Sequence, residues 1–139
     1  ETYRRMCPIL RGLQPDVYCA EPYVTPGNVD GPDSPYYGRG GWTWYTGSGA
    51  WMFRIAWEGL LGIKARREGL EMDPVIPNHW NSFGARRIFR GATYKIEVRN
   101  PHHRNRGVRE IRVDGRRIEG TVIKPHSDGK VHKVEVLMA

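Results

Sequence analysis

Cysteine is scarce. The 139 residues hold two, Cys7 and Cys19, at a spacing that fits neither a zinc site nor a dithiol redox motif. Two reduced thiols in an intracellular protein are expected, and nothing in the sequence supports a disulfide between them. No stretch stays apolar for the about 20 residues that a membrane-spanning helix requires. The start lacks the basic, apolar and small-residue leader of a secreted chain. It opens instead on Glu1-Thr2-Tyr3-Arg4-Arg5-Met6, which reads as the middle of a helix without an initiator Met, so a fragment or processed piece is expected. The histidines His79, His102, His103, His126 and His132 stand at no metal-ligand spacing from Cys, Asp or Glu, and no metal is expected. No Ser-His-Asp or Cys-His arrangement can be drawn either.

What is present is a folded composition, 39% hydrophobic with five Trp and seven Tyr, too apolar for a disordered chain. The formal net charge is +7, and most of the excess lies between Arg86 and Arg117. There Arg and Lys alternate with Ile, Val and Tyr. That pattern fits the solvated face of a sheet better than a nucleic-acid patch, so no nucleic-acid partner is expected.

Composition changes near Ile63 to Gly69. Before it, Glu1 to Arg11 can form a helix with Met6, Ile9, Leu10 and Leu13 at helical spacing, and Gly12 as a stop. From Gln14 to Thr46 the chain carries Pro15, Pro22, Pro26, Pro32, Pro35 and many glycines, which predicts a long loop of the kind that is more often functional than accidental. Ser48 to Leu61 is predicted helical and so apolar that it must be buried nearly all round, which requires partner helices beyond these residues. Arg54 and Glu58, four apart, can pair. After Gly69 short alternations predict strands at 70–72, 85–90, 93–99, 108–113, 116–118, 121–123 and 130–138. Arg90-Gly91, Asp114-Gly115 and Asp128-Gly129 mark turns, the last two as hairpins. An all-β sandwich is expected for this half.

The chemistry concentrates in the run Gly38-Arg39-Gly40-Gly41-Trp42-Thr43-Trp44-Tyr45-Thr46-Gly47-Ser48-Gly49, which leads straight into the apolar helix. The first turn of a helix has unpartnered N–H groups and partial positive charge. Thr46 or Ser48 can cap it, and Gly47 and Gly49 carry no side chain to obstruct an anion. A phosphate site and an ordinary tightly packed N-cap are both consistent with this run. Trp42, Trp44 and Tyr45 can stack on sugar faces or serve as core aromatics. Asp30 and Asp33 read as turn formers before Gly31-Pro32 and Ser34-Pro35, whereas Glu21, before Pro22, is less easily a turn residue.

Three runs carry a family resemblance: Glu21-Pro22-Tyr23-Val24-Thr25-Pro26-Gly27-Asn28, Gly31-Pro32-Asp33-Ser34-Pro35, and the Gly/Trp block ending Thr46-Gly47-Ser48. It continues through Trp57-Glu58-Gly59-Leu60-Leu61-Gly62, Met72-Asp73-Pro74-Val75-Ile76-Pro77-Asn78-His79-Trp80, Phe89-Arg90-Gly91-Ala92-Thr93-Tyr94 and Val98-Arg99-Asn100-Pro101. Together these resemble the C-terminal part of the inverting phosphorylases of glycoside hydrolase family 94. The family includes cellobiose, cellobionic acid and chitobiose phosphorylases and the phosphorylase-like domain of cyclic β-1,2-glucan synthases. The Tyr23 to Pro35 stretch resembles the cellobionic acid enzymes more than the glucan synthases.

The resemblance implies an α+β chain in which residues 1–66 are the last helices and active-site loop of an (α/α)6 catalytic barrel. Residues 67–139 would be a C-terminal antiparallel β-sandwich domain. It implies hexosyl transfer: inorganic phosphate attacks the anomeric carbon of a β-glucosyl unit and yields α-glucose 1-phosphate with inversion. Thr46 and Gly47, with Ser48, would bind phosphate; Asn28, Glu21 and Trp44 would bind substrate. Relatives often carry Gln near the sugar where this chain has Gly27-Asn28, so Asn28 is a departure from the pattern. The general acid would lie upstream, leaving no catalytic residue here and an inactive isolated piece. No cofactor is expected beyond phosphate as co-substrate. The partners would be a β-glucoside carbohydrate and phosphate, with no direct membrane contact by this segment and a homodimer of the full-length enzyme. The location would be cytoplasmic, or membrane-associated in a glucan synthase. A non-catalytic carbohydrate-binding module is the alternative from another class.

Overall fold

Strict apolar-polar alternation places the strands of the second half with little ambiguity. In the computed structural model, which describes residues 2–44 and 46–139, the chain divides into two compact units, Glu1–Ile55 and Ala56–Ala139.

The second unit holds two sheets. The larger has β5 (Ser82–Phe89), β6 (Ala92–Arg99), β7 (Val108–Val113), β8 (Arg116–Ile118) and β10 (Val131–Met138), in the order β5-β6-β10-β7-β8. The smaller has β3 (Ile63–Ala65), β4 (Leu70–Met72) and β9 (Val122–Ile123), in the order β3-β4-β9. Ala92, Tyr94, Ile96 and Val98 of β6 and Val134, Val136 and Met138 of β10 are buried at every second position. They join Ile63, Leu70, Met72, Ile76, Ile111, Val113 and Ile123 in one core, as a period of two requires. The alternate residues face out and pair along their own strands: Arg99 with Glu97 at 2.8 Å, Lys133 with Glu135 at 2.9 Å, and Arg112 with Glu110. Part of the basic alternation of this half is thus paired with glutamates two residues away on the same strand.

Two turns follow from their residues. Arg90-Gly91 joins β5 to β6, and Asp114-Gly115 joins β7 to β8; both residues of each pair have positive φ. That is the geometry a two-residue hairpin with right-handed strand twist demands. Two expectations are corrected. Asp128-Gly129 does not close a hairpin, because β9 pairs with β4 whereas β10 enters the larger sheet. Nor are the sheets antiparallel throughout: β10 runs parallel to β6, Val134 beside Ile96 and Val136 beside Val98. Within the second unit β3 is hydrogen-bonded to β4, Ile63 beside Met72 and Ala65 beside Leu70.

In the first unit, α1 (Thr2–Met6) and α2 (Pro8–Arg11) replace the single predicted helix. The break falls at Cys7, because the residue before a proline is steered out of the helical region, and Cys7 is extended with ψ 116°. The predicted loop contains α3 (Pro15–Tyr18) and a two-strand ladder, β1 (Asn28–Val29) against β2 (Gly40–Gly41). The apolar helix starts at Thr46 as α4 (Thr46–Arg54) and widens into a π-helical segment, Ile55–Leu60. It is not buried all round: Trp51 is 63% and Phe53 61% exposed. Among the described residues of this unit, Tyr18 and Met52 are the buried large apolar side chains. Cys7 and Cys19 are free thiols.

Polar pins complete the second unit. Asp73 receives Lys64 Nζ at 2.6 Å on Oδ2, and Arg106 as a fork, Nε to Oδ1 at 3.1 Å and a terminal nitrogen to Oδ2 at 3.0 Å. Fully buried Asn100 donates to the Trp80 and Arg104 carbonyls and accepts the Arg104 N–H. The hydrogen bonds from Arg106, then those from Lys64, hold the Asp73 carboxyl below the usual aspartate range. A folded-state pKa below the unfolded one stabilises the native state above the ordinary aspartate range near pH 4, and that contribution fades as pH falls toward the folded value. Urea unfolding of Asp73→Asn followed by circular dichroism is therefore expected to show a loss of about 1–3 kcal/mol at neutral pH. The loss should shrink in acid as the wild-type pair is protonated.

Candidate functional site

The segment before α4 is held in an uncommon backbone conformation. Trp42 has φ 53° and Trp44 φ 66°, left-handed values that cost bulky residues about 1–3 kcal/mol each and concentrate at ligand clamps and active sites. Both rings stand mostly in solvent. Trp44 Nε1 donates to Glu21 Oε1 at 2.9 Å, and its ring meets Tyr23 edge-on at 6.4 Å. The indole bond is the first cause holding the Glu21 carboxyl below the usual range. Glu21 and Trp44, predicted separately as substrate residues, are thus one hydrogen-bonded pair bridging 23 positions of sequence.

The β1–β2 ladder positions Asn28. Its partner is Gly41, where a Cβ would stand 2.7 Å from Asn28 Oδ1. Asn28 Nδ2 donates to Asp30 Oδ1 at 3.1 Å, and Ser34 Oγ to Asp30 Oδ2 at 3.2 Å. Asp30 is therefore the hub of its own turn, as expected. Asn28 and Asp30 line an open groove of about 450 Å³ with Tyr36, Arg39 and Trp42. Sequence reasoning did not single out Arg39, whose guanidinium lies 5.4 Å from the centre of the Tyr36 ring. Its signal was only its place inside the glycine-rich run.

At the start of α4, a Cβ added to Gly47 or Gly49 would meet nothing within 4 Å. The backbone there faces open space on the side where other residues project a side chain. Ser48 Oγ donates to the Thr25 carbonyl at 3.1 Å, fastening the helix start to the run containing Tyr23 and Asn28. Thr46 begins the helix; its side chain, and Tyr45 entirely, lie outside the described residues. Gly40 is the opposite case: a Cβ there would stand 2.6 Å from the buried Tyr18 ring. The same residue type thus serves packing at one end of the run and openness at the other.

Residues 1–62 match the family model described as glycosyl hydrolase 94 superfamily, catalytic domain. Those 62 residues belong to that superfamily. It is 32% identical over 138 residues to a solabiose phosphorylase of Paenibacillus borealis, covering 99% of this chain and 18% of that protein. An N,N'-diacetylchitobiose phosphorylase of Vibrio proteolyticus is 37% identical over 119 residues, 86% of this chain and 15% of its own length. The cyclic beta-(1,2)-glucan synthase NdvB of Rhizobium meliloti is 41% identical over 100 residues, 70% of this chain and 4% of its own. The chain thus spans less than one fifth of each of these relatives.

The two glycine environments give opposite expectations for one substitution. Gly40→Ala should lower stability by about 1–3 kcal/mol through overpacking against Tyr18. Gly47→Ala should leave it unchanged or raise it, alanine being the better helix former by about 1 kcal/mol. Thermal unfolding of the two variants side by side checks this.

Proposed function

We propose that the chain is part of an inverting β-glucoside phosphorylase and contributes the phosphate-binding helix start. Phosphate would sit on the N–H groups of Gly47 and Ser48 with the Thr46 hydroxyl, replacing the water of a hydrolase as the nucleophile. It would attack the anomeric carbon, expel the leaving sugar, and give α-glucose 1-phosphate. Trp44 and Tyr23 offer flat apolar faces for a sugar ring, Glu21 fixes the Trp44 indole, and Asn28 offers an amide beside the groove. The general acid would come from elsewhere in the full-length protein, whose fold would include the rest of an (α/α)6 barrel. The reading needs no cofactor beyond phosphate as co-substrate, and takes the full-length enzyme as a cytoplasmic homodimer. The observation that carries it is the open backbone at Gly47 and Gly49 on the first turn of a nine-residue helix, in a chain similar to phosphorylases of β-linked disaccharides.

The identity to a cyclic glucan synthase, 41% over 100 residues, supports a second parent, a phosphorylase-like domain of such a synthase. The phosphate chemistry would be shared, and the full-length protein would then be membrane-associated. Among the described residues no helix is long and apolar enough to cross a membrane.

In the full-length enzyme, Thr46→Val and Gly47→Val are expected to raise the KM for phosphate about 10- to 100-fold, the worth of one or two hydrogen bonds to a charged group. The KM for disaccharide should move far less. Initial-rate phosphorolysis at varied phosphate measures both, and an unchanged phosphate dependence refutes the assignment.

A further inference from the structure

The second unit gathers a group of side chains that sequence spacing did not bring together. Asp114, His126 and His132 each offer a ligand-type atom within 4.8 Å of the other two. Asp114 lies in the β7–β8 turn, His132 is the second residue of β10, and His126 sits on the exposed loop between β9 and β10. Sheet register makes the meeting: Val113 pairs with Val134, which sets the Asp114 turn beside the start of β10.

The detail is specific. His132 is buried, with 6% of its surface exposed. Its Nδ1 is 2.7 Å from Asp114 Oδ2 and its Nε2 is 3.1 Å from Asp128 Oδ1. The His126 ring stacks on it at 3.7 Å between centroids with 22° between planes. His126 Nδ1 lies 3.1 Å from the hydroxyl of the buried Tyr94, which also accepts the His126 backbone N–H at 3.2 Å. His132 thus has Nε2 held by Asp128 beside its Nδ1 contact to Asp114, and His126 has Nδ1 held by Tyr94. That is the outer shell that metal-bound histidines carry, a carboxylate or other oxygen fixing the ring through its second nitrogen.

We propose that Asp114, His126 and His132 form a binding site for a divalent transition-metal ion of the zinc type. Two imidazoles and one carboxylate suit zinc and its neighbours, whereas magnesium and calcium call for oxygen ligands. The ligands are Asp114 Oδ2, His132 Nδ1 and His126 Nε2, with water completing a tetrahedron. The ion takes the place of the proton between Asp114 and His132, and that proton leaves to solvent. Bonds of about 2.0–2.2 Å set ligand atoms about 3.4 Å from one another, so Asp114 Oδ2 and His132 Nδ1 must part from 2.7 Å to admit the ion while His126 closes in from within 4.8 Å. A ring nitrogen's lone pair lies in the ring plane, so the His126 ring must turn away from the stack. It stands on a loop without regular structure, tied to β6 through the Tyr94 hydroxyl, about which the ring would turn. The ion would cross-link the β7–β8 turn, the β9–β10 loop and the start of β10.

The test is calorimetric titration of the chelator-treated chain with zinc chloride, paired with thermal unfolding. The expected result is one ion per chain with Kd below about 10 μM and a rise in unfolding temperature that grows with free zinc. Magnesium should do neither. His126→Ala, at an exposed loop position, keeps the fold and retains His79, His102 and His103; it should weaken binding by about 10-fold or more. Asp114→Asn should weaken it in the same sense. Absence of saturable binding below about 10 μM, or binding by His126→Ala equal to wild type, overturns the proposal.

Discussion

Apolar surface that has to be covered is the constraint on which the first unit depends. Among its described residues, Tyr18 and Met52 are buried, whereas Ile9, Leu13, Trp42, Trp44, Trp51 and Phe53 stand in solvent. Each such side chain forfeits about 1.5–3 kcal/mol by staying wet, and contiguous patches of this kind mark interaction surfaces. Relatives several times longer than this chain are consistent with a domain that the rest of the proposed enzyme completes. The proposed anion site would depend on the same circumstance: a helix start covered by further helices would hold its first amides in a low-dielectric cleft, where a phosphate gains most from them.

The second unit obeys the opposite rule. It closes its own core between two sheets and ties its loops with polar pins. Asp73 draws Lys64 and Arg106 together, and Asn100 satisfies two groups of the loop that leads from β6 toward β7 and the Trp80 carbonyl ahead of β5. Two of the runs that carry the family resemblance, around Asp73 and around Asn100, therefore have a structural explanation. They hold the strands in place.

Much of the second unit was legible because strands of period two declare their buried face: β6 and β10 lie within one residue of expectation. What escaped was pairing. Nothing local says that β10 lies parallel to β6 or that Asp128-Gly129 leads out of one sheet and into another, since those choices are made by contacts far apart in sequence. The cluster of Asp114, His126 and His132 escaped for the same reason, being assembled by register rather than spacing. In the first unit, the open glycines at the helix start and the Asp30 turn were readable from residue chemistry. The bond between Glu21 and Trp44 was not, because it joins two ends of an irregular run, and the left-handed φ values of Trp42 and Trp44 run against the preference of tryptophan.

The account turns on where an oxyanion sits. A crystal structure of the full-length protein with disaccharide and phosphate would decide it. The account predicts a phosphate oxygen within about 3.2 Å of the backbone nitrogens of Gly47 and Ser48, in hydrogen-bonding geometry. Phosphate bound elsewhere, with those amides sealed against other parts of the chain, would contradict it.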